Sequence, residues 1–528
     1  MKTKKLFAAT LLGAVIGLTG CGGGGGTTAS APTPTPPTEP TPPVVNGPAW
    51  FGFGRDAQHT AVGAIATQPL TRVVWTTPVD LAPQYSNGGA LLIHYGSPVI
   101  TAKSTVVVPV KTTSGGGFRI EARAGANGAL LWSSNSDYVL PTGSSWTPSY
   151  NIVLTTTNRV YAPGAGGKVL YRDDADAVTG NVLSAVFYGA NNYTAAIATY
   201  DTAVRINTPL TSDAQGNIYF GFVVTGATPA NLSSGIARVA ADGSGTWVSA
   251  AAAAGVVTIG KPATNSAPAL SADGRTLYVA VNTNPQGNTR QSGYLLALDA
   301  TTLATKSKIQ LTDPLSGTLA WVSDNSTSSP TVGPDGDVYF GVLEANAPAH
   351  NFRGWLLHFD ANLTTGKTSG SFGWDDTASI VPASMVPSYA GPSAYLLMTK
   401  YNNYGGSGSG DGKNRVAILD PNVSQPDSIA NVPVMREVMT ILGTTPDPDY
   451  PNGVKEWCIN TAAVDPLTRS VLANSEDGYL YRWDLTTNTF SERIKLNNGF
   501  AESYTPTAIG PDGKVYAVNN AALFAVGR

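Results

Sequence analysis

Four histidines and two cysteines are all that these 528 residues offer to metal or thiol chemistry, and their spacing does not favour either. His59, His94, His350 and His358 nowhere form the His-x-x-x-His pattern that brings two imidazoles to one metal. His358 alternates within a strand-like run, as a packing residue does. Oxygen ligands for calcium could come from Asp173-Asp174-Ala175-Asp176 or Asp447-Pro448-Asp449. Aspartate at that density is also the ordinary chemistry of turns, which is the favoured reading. No Gly-x-Ser-x-Gly elbow and no Cys-x-x-Cys-His haem motif occurs. The tract Gly405-Gly406-Ser407-Gly408-Ser409-Gly410 lacks the Lys-Ser/Thr of a phosphate loop and reads as a loop tip. Cys458, within Glu456-Trp457-Cys458-Ile459-Asn460, reads as a small buried hydrophobe, with a reactive thiol as the alternative. No catalytic residue and no metal ligand is assigned.

The other cysteine has a different setting. Lys2, Lys4 and Lys5 precede an apolar run, residues 6–18, and then Leu18-Thr19-Gly20-Cys21. This resembles the lipobox of bacterial lipoproteins, in which small residues precede a cysteine that is acylated and becomes the mature N-terminus. Residues 1–20 are therefore expected to be a lipoprotein signal peptide, with Cys21 the lipidation site. An ordinary signal peptide with a chance cysteine is the alternative; thirteen apolar residues are too few to cross a bilayer. The resemblance implies outer-membrane sorting, since Gly22 and not Asp follows the cysteine. Residues 21–47, rich in Gly, Pro and Thr, are expected to form a disordered tether. At about 3.1 Å per residue it could reach roughly 80 Å from the lipid. Charged residues make up only 13% of the chain and net charge is -3, so there is no electrostatic case for nucleic acid. The 58 Gly and 37 Pro suit an all-β fold with many turns.

These turns recur at a fixed interval. A small residue followed by proline precedes an apolar run at Ser97-Pro98, Thr147-Pro148, Thr208-Pro209, Ala267-Pro268, Ser329-Pro330 and Thr505-Pro506, more weakly at Gly391-Pro392, and without proline at Thr461-Ala462. Seven intervals between residues 97 and 505 give a mean of about 58, the spacing of a propeller or solenoid. Second strands are expected at Asn217-Ile218-Tyr219-Phe220, Leu277-Tyr278-Val279, Asp337-Val338-Tyr339-Phe340, Tyr479-Leu480-Tyr481 and Lys514-Val515-Tyr516, third strands at Leu296-Ala297-Leu298, Leu357-His358-Phe359 and Ala417-Ile418-Leu419. Asp273-Gly274, Asp335-Gly336 and Asp512-Gly513 supply tight turns.

The last unit stops one strand short, at Phe524, while Val73-Val74-Trp75 stands upstream of the first unit with no sheet of its own. Pairing these two ends closes a ring and removes the open edge. The expected fold is an all-β, eight-bladed β-propeller over residues 48–528 closed by an N-terminal strand. Seven blades is the alternative, because the unit near residues 381–436 is degenerate.

Trp50-Phe51-Gly52-Phe53-Gly54-Arg55-Asp56-Ala57-Gln58-His59-Thr60 resembles the W-x-x-x-x-R-x-x-x-x-T leading segment of pyrroloquinoline-quinone-like (PQQ-like) repeat propellers. Residues 97–132, 267–303 and 329–366 match the family repeat best. That family holds quinone-dependent dehydrogenases and non-catalytic lipoproteins such as the BamB-type outer-membrane assembly factors, so the resemblance is specific for fold and weak for function. A quinone site of the family implies a tryptophan beneath the ring, two adjacent cysteines above it, and Glu, Asn and Asp on calcium. This chain has no Cys-Cys pair and no assignable calcium triad, so PQQ and calcium are not supported by motif.

Loop lengths indicate a face. Turns between strands one and two and between three and four are short, whereas the loops 111–117, 225–235, 282–292, 344–353 and 402–413 and the inter-blade connections 184–206, 248–266, 307–328 and 437–460 are long. Both long classes emerge on one side of a propeller, which points to a binding surface there. Residues just before the innermost strands should ring the channel mouth: Tyr95, Trp146, Arg205, Asn265, Trp457 and Tyr504, with Glu502 nearby. Such a ring suits a ligand or peptide, or it plugs the channel and joins neighbouring blades. Two functions follow: a lipid-anchored scaffold with a protein or peptide partner at the outer membrane, or a ligand-binding module or divergent quinone oxidoreductase.

Overall fold

The chain alternates short β-rich runs with turns, and in the computed structural model those runs close into eight antiparallel blades, six of four strands and two whose innermost strand is split in two. The structure describes residues 48–85, 91, 93–140, 149–283, 291–324, 328–499, 501 and 503–528. The expected signal peptide, Cys21, the expected tether, Trp146 and Glu502 lie outside the described residues. Blades 1 to 7 span residues 99–136, 153–185, 204–249, 259–310, 331–370, 379–442 and 463–495. Blade 8 combines strands Ala508–Ile509, Val515–Asn519 and Ala522–Gly527 with Arg72–Pro78 as its outermost strand. In that seam Arg72 lies opposite Gly527, Trp75 opposite Ala525 and Thr76 opposite Phe524, as the closure argument requires. Trp75 is buried, and its indole N–H donates to the Gly125 carbonyl of blade 1 at 2.9 Å. Trp132 repeats the contact from blade 1 to Ala175 of blade 2, also at 2.9 Å.

Turn chemistry explains the tight ends. Gly274, Gly336 and Gly513 all have positive φ, and Asp273, Asp335 and Asp512 each accept a backbone N–H two residues on. Only the glycine of each pair is left-handed, so these are not two-residue primed hairpins. Two expectations are corrected. Gly391-Pro392 does not open blade 6, whose first strand is Ser379–Pro382; the proline pair lies in the long connection to the second strand, Tyr395–Tyr401. Tyr479-Leu480-Tyr481 belongs to the third strand of blade 7; the second is Ser470–Asn474, which lacks the aromatic residues that mark the second strands of other blades.

Hydroxyls beside the innermost strands donate to the neighbouring blade: Thr211 to Pro268 (2.6 Å), Thr331 to Ala378 (3.0 Å), Ser379 to Ala462 (2.7 Å) and Thr505 to Tyr95 (3.0 Å). A belt of hydrogen bonds therefore runs round the axis where buried backbone would otherwise lack partners.

Residues 50–63 fill the axial end on the side of the short turns. Their carbonyls accept from Leu154 of blade 2 (through Phe51), Leu270 of blade 4 (Ala57), Val332 of blade 5 (Gln58), Ile380 of blade 6 (Thr60) and Val464 of blade 7 (Ala61), at 2.7–3.0 Å. Trp50 exchanges both bonds with Ile100 of blade 1. The coil is tight enough to place Gly54, Arg55, His59 and Ala61 in the left-handed region. Trp50, His59 and Ala61 are at most 1% exposed. This segment is thus an axial plug, with six innermost strands each contributing a rung.

Candidate functional site

Because the plug occupies the turn face, chemistry or docking along the axis falls to the opposite face, where the 2–3 loops and inter-blade connections lie. Strand direction alternates within each blade, so both classes must emerge together. Three of these connections carry structure that the sequence reading did not anticipate. Helices Ala190–Ala195 and Ile197–Ala203 lead into blade 3, and Ala250–Ala254 leads into blade 4, the last capped by Ser249 and ended by left-handed Gly255. A two-stranded ribbon, Pro446–Asp447 with Tyr450–Val454, precedes blade 7.

Charges on this face are turned inward and paired. Lys111 meets Asp80 at 3.2 Å, and Asp80 also accepts from the Tyr95 hydroxyl at 3.0 Å. Lys261 meets Asp324 at 2.5 Å with Asn282 on both, and the whole group is buried. Burial alone would push the Asp324 carboxyl up, but Lys261 and the hydrogen bonds from Asn282 and Thr264 hold it low. Lys400 pairs with Asp375; burial would lower its ammonium, and the carboxylate, with Cys458 and Asp376 nearby, raises it instead. Asp376, next in sequence and also buried, is pushed up to about 7 by burial, with Lys400 and Thr399 opposing.

Around Lys400 stand several axial side chains. His94 stacks on Tyr504 with ring centroids 3.7 Å apart and planes 8° from parallel. Asn460 donates to the Tyr504 hydroxyl at 2.6 Å and to the Asp375 carbonyl at 3.1 Å, while its own carbonyl accepts from Thr377 at 3.0 Å. One asparagine thereby ties the entrances of blades 6, 7 and 8. Burial raises the Tyr504 and Tyr404 phenols well above their ordinary value.

The expected mouth residues divide among these settings. Tyr504 belongs to the axial cluster, and Tyr95 connects to its blade through Thr505 and to Asp80. Asn265, left-handed at φ 68, donates its backbone N–H to Asn207 of blade 3 and its amide to the Asp324 carbonyl. Trp457 packs on Tyr481 and Phe490, and its backbone is held by Asn402. Arg205 lies half-buried in strand Val204–Ile206. Cys458 is half-buried, more open than the expected core position. Asp174 and Asp176 accept from the Asn158 amide, so this acidic run is engaged in turn hydrogen bonding. Among the described residues no group of three His, Cys, Asp or Glu side chains converges as a metal would need.

What the sequence reading missed is the outer surface of this face. Eight of the thirteen exposed large apolar side chains among the described residues sit on its connections, Leu81, Tyr85, Ile197, Val257, Phe352 and Tyr450 among them. Exposed charged residues in those connections, as far as they are described, are Asp137, which pairs with Lys168, Asp411 and Asp449. The turn face exposes more charge, with Lys103, Asp173, Asp242, Arg275, Asp335 and Arg469 all exposed beside the apolar Val178 and Leu467.

No family model matches this sequence, and no curated protein matches it. Among solved structures it is similar to the quinohemoprotein alcohol dehydrogenase of Comamonas testosteroni, at 12% identity over 91% of this chain and 81% of that one, with a TM-score of 0.53. A europium-containing methanol dehydrogenase gives 10% identity over 90% of each chain and 0.52. BamB from Moraxella catarrhalis gives 11% over 87% and 99%, with 0.45. At such identities the likeness is one of fold alone, an eight-bladed β-propeller. The residues here do not fit a quinone and its calcium: Cys458 has no adjacent cysteine, and Asp80, Asp324 and Asp375 each face a lysine and do not converge on one cation.

Proposed function

We propose that this PQQ-like-repeat propeller is a non-catalytic docking scaffold of the bacterial cell envelope, held to the outer membrane by a lipid on Cys21 and binding a protein partner through its loop face. The observation that carries this reading is the segregation of surface chemistry. Apolar side chains are exposed on the loops, while Lys111, Lys261 and Lys400 of that face are spent on internal pairs. Exposed apolar groups concentrated on one face mark association surfaces. The plug supports the same reading, since it leaves the axis closed on the turn face.

The test is affinity purification of the full chain from envelope membranes, comparing wild type with an I197S/V257S/L319S variant and with a K103S/R275S/L467S variant of the turn face. Loss of a stoichiometric partner only in the first, at unchanged melting temperature, supports the proposal. Retention in the first and loss in the second refutes it. For the anchor, Cys21→Ser should abolish palmitate incorporation and release the chain from membranes; continued labelling would refute lipidation at that residue.

A further inference from the structure

On the same face, the 2–3 loops of blades 5 and 6 and the ribbon before blade 7 meet at one patch. Phe352 is 40% exposed with φ 57, directly after Asn351 at φ 56. A bulky aromatic residue in the left-handed region is an outlier that its surroundings must enforce. Here they do so. The Glu344 carboxylate, itself fully buried, accepts the N–H groups of Phe352 at 2.7 Å and Gly354 at 2.8 Å. Asn351 is fixed by Asn403 at 2.9 Å and by Ser409 on both its amide atoms. The backbone is thus locked in a form that turns a phenyl ring outward.

Ser409 belongs to the glycine-rich loop, whose other end lies under Tyr450. A Cβ at Gly405 would stand 2.7 Å from that ring, so only glycine permits the contact. Tyr450 is 42% exposed. Two rings therefore border a strip of backbone almost without side chains. The exposed charges beside it are Asp411, which accepts from Asn403, and Asp449; Lys413 on the same loop is half-buried.

We propose that Phe352 and Tyr450 are twin anchors for an extended polypeptide segment carrying a basic side chain. The inference rests on the loop-face reading above and specifies its partner. Rigid aromatic rings give large contact area at little entropic cost, a glycine-rich floor leaves room for a peptide backbone, and the two carboxylates select a cation.

The probes are 12-residue peptides in which valine alternates with Arg, Ser or Glu, together with cellohexaose and chitohexaose. The arginine peptide should bind saturably and at least tenfold more tightly than the glutamate peptide. F352N, which keeps a residue tolerant of the left-handed region, and Y450L should each weaken it at least fivefold with no fall in melting temperature. D411N/D449N should bring the arginine and serine peptides together. Equal binding of all three peptides, indifference to F352N and Y450L, or preference for an oligosaccharide would overturn the anchor. Should I197S/V257S abolish peptide binding while F352N and Y450L do not, the anchor fails and the loop-face reading survives.

Discussion

His59 lies inside the axial plug, 1% exposed, with Nδ1 2.7 Å from the Pro330 carbonyl of blade 5. A carbonyl only accepts, so Nδ1 carries a proton and donates it. Burial lowers its pKa from 6.5 to about 4, with the Pro330 bond and Asp56 opposing. Between these values the unfolded chain binds the proton and the native chain does not. Stability is therefore complete above pH 6.5 and falls as the pH drops towards 4. Moving the pKa from 6.5 to about 4 amounts to roughly 3 kcal/mol. The informative variant is His59→Asn, which keeps a donor near the Nδ1 position and tolerates φ 60. Urea unfolding of wild type and variant at pH 7.5, 6.5, 5.5 and 4.5 isolates the imidazole. Wild type should lose about 2 to 3 kcal/mol more than the variant between the extremes. A difference that stays flat across this range would refute the claim that a neutral imidazole is locked within the plug.

Three further outcomes follow from named contacts. Asp376 has the opposite sign: held neutral up to about pH 7, it costs stability as pH rises from 3.8 through 7, so Asp376→Asn should stabilise the chain at pH 8 by up to about 4 kcal/mol and be neutral at pH 4, measured by the same unfolding curves. Lys261→Met leaves Asp324 buried without its cation and should cost about 3–5 kcal/mol, whereas adding Asp324→Leu should recover most of that loss in a double-mutant cycle. Gly128 has φ 73, and a Cβ there would meet the Trp75 ring at 2.7 Å, so Gly128→Ala should unseat the closing strand and raise amide exchange across residues 72–78.

The ring and its seam were legible because they depend on local signals: Asp-Gly turns at a steady spacing, alternating strands, and an unmatched Val73-Val74-Trp75 at one end facing an unmatched Phe524 at the other. The plug was not. Its path depends on left-handed residues such as Arg55 and Ala61 and on bonds to six separate blades, which no local pattern encodes. Blade 6 was misplaced because its strands Arg415–Pro426 and Pro433–Leu442 run far beyond the usual length and its first strand carries proline at the end, not the beginning. Asp427, at the tip of that long hairpin, meets Ser371 and His350 of blade 5, a tertiary contact that gives a lone histidine a structural partner. The mouth was read in part. Tyr504 was picked out from its place before an innermost strand, but Asn460, His94 and Lys400 surround it only because three connections converge. Phe352 and Tyr450 escaped notice because exposure, not residue type, distinguishes them from core aromatics.

The face that meets a partner is tested most directly by photo-crosslinking in membranes, with the full chain lipidated and a benzophenone amino acid placed in turn at Val257, Ile197, Lys103 and Arg275. Adducts of one discrete mass from Val257 and Ile197, with none from Lys103 and Arg275, are the predicted result. Adducts confined to Lys103 and Arg275 would contradict it.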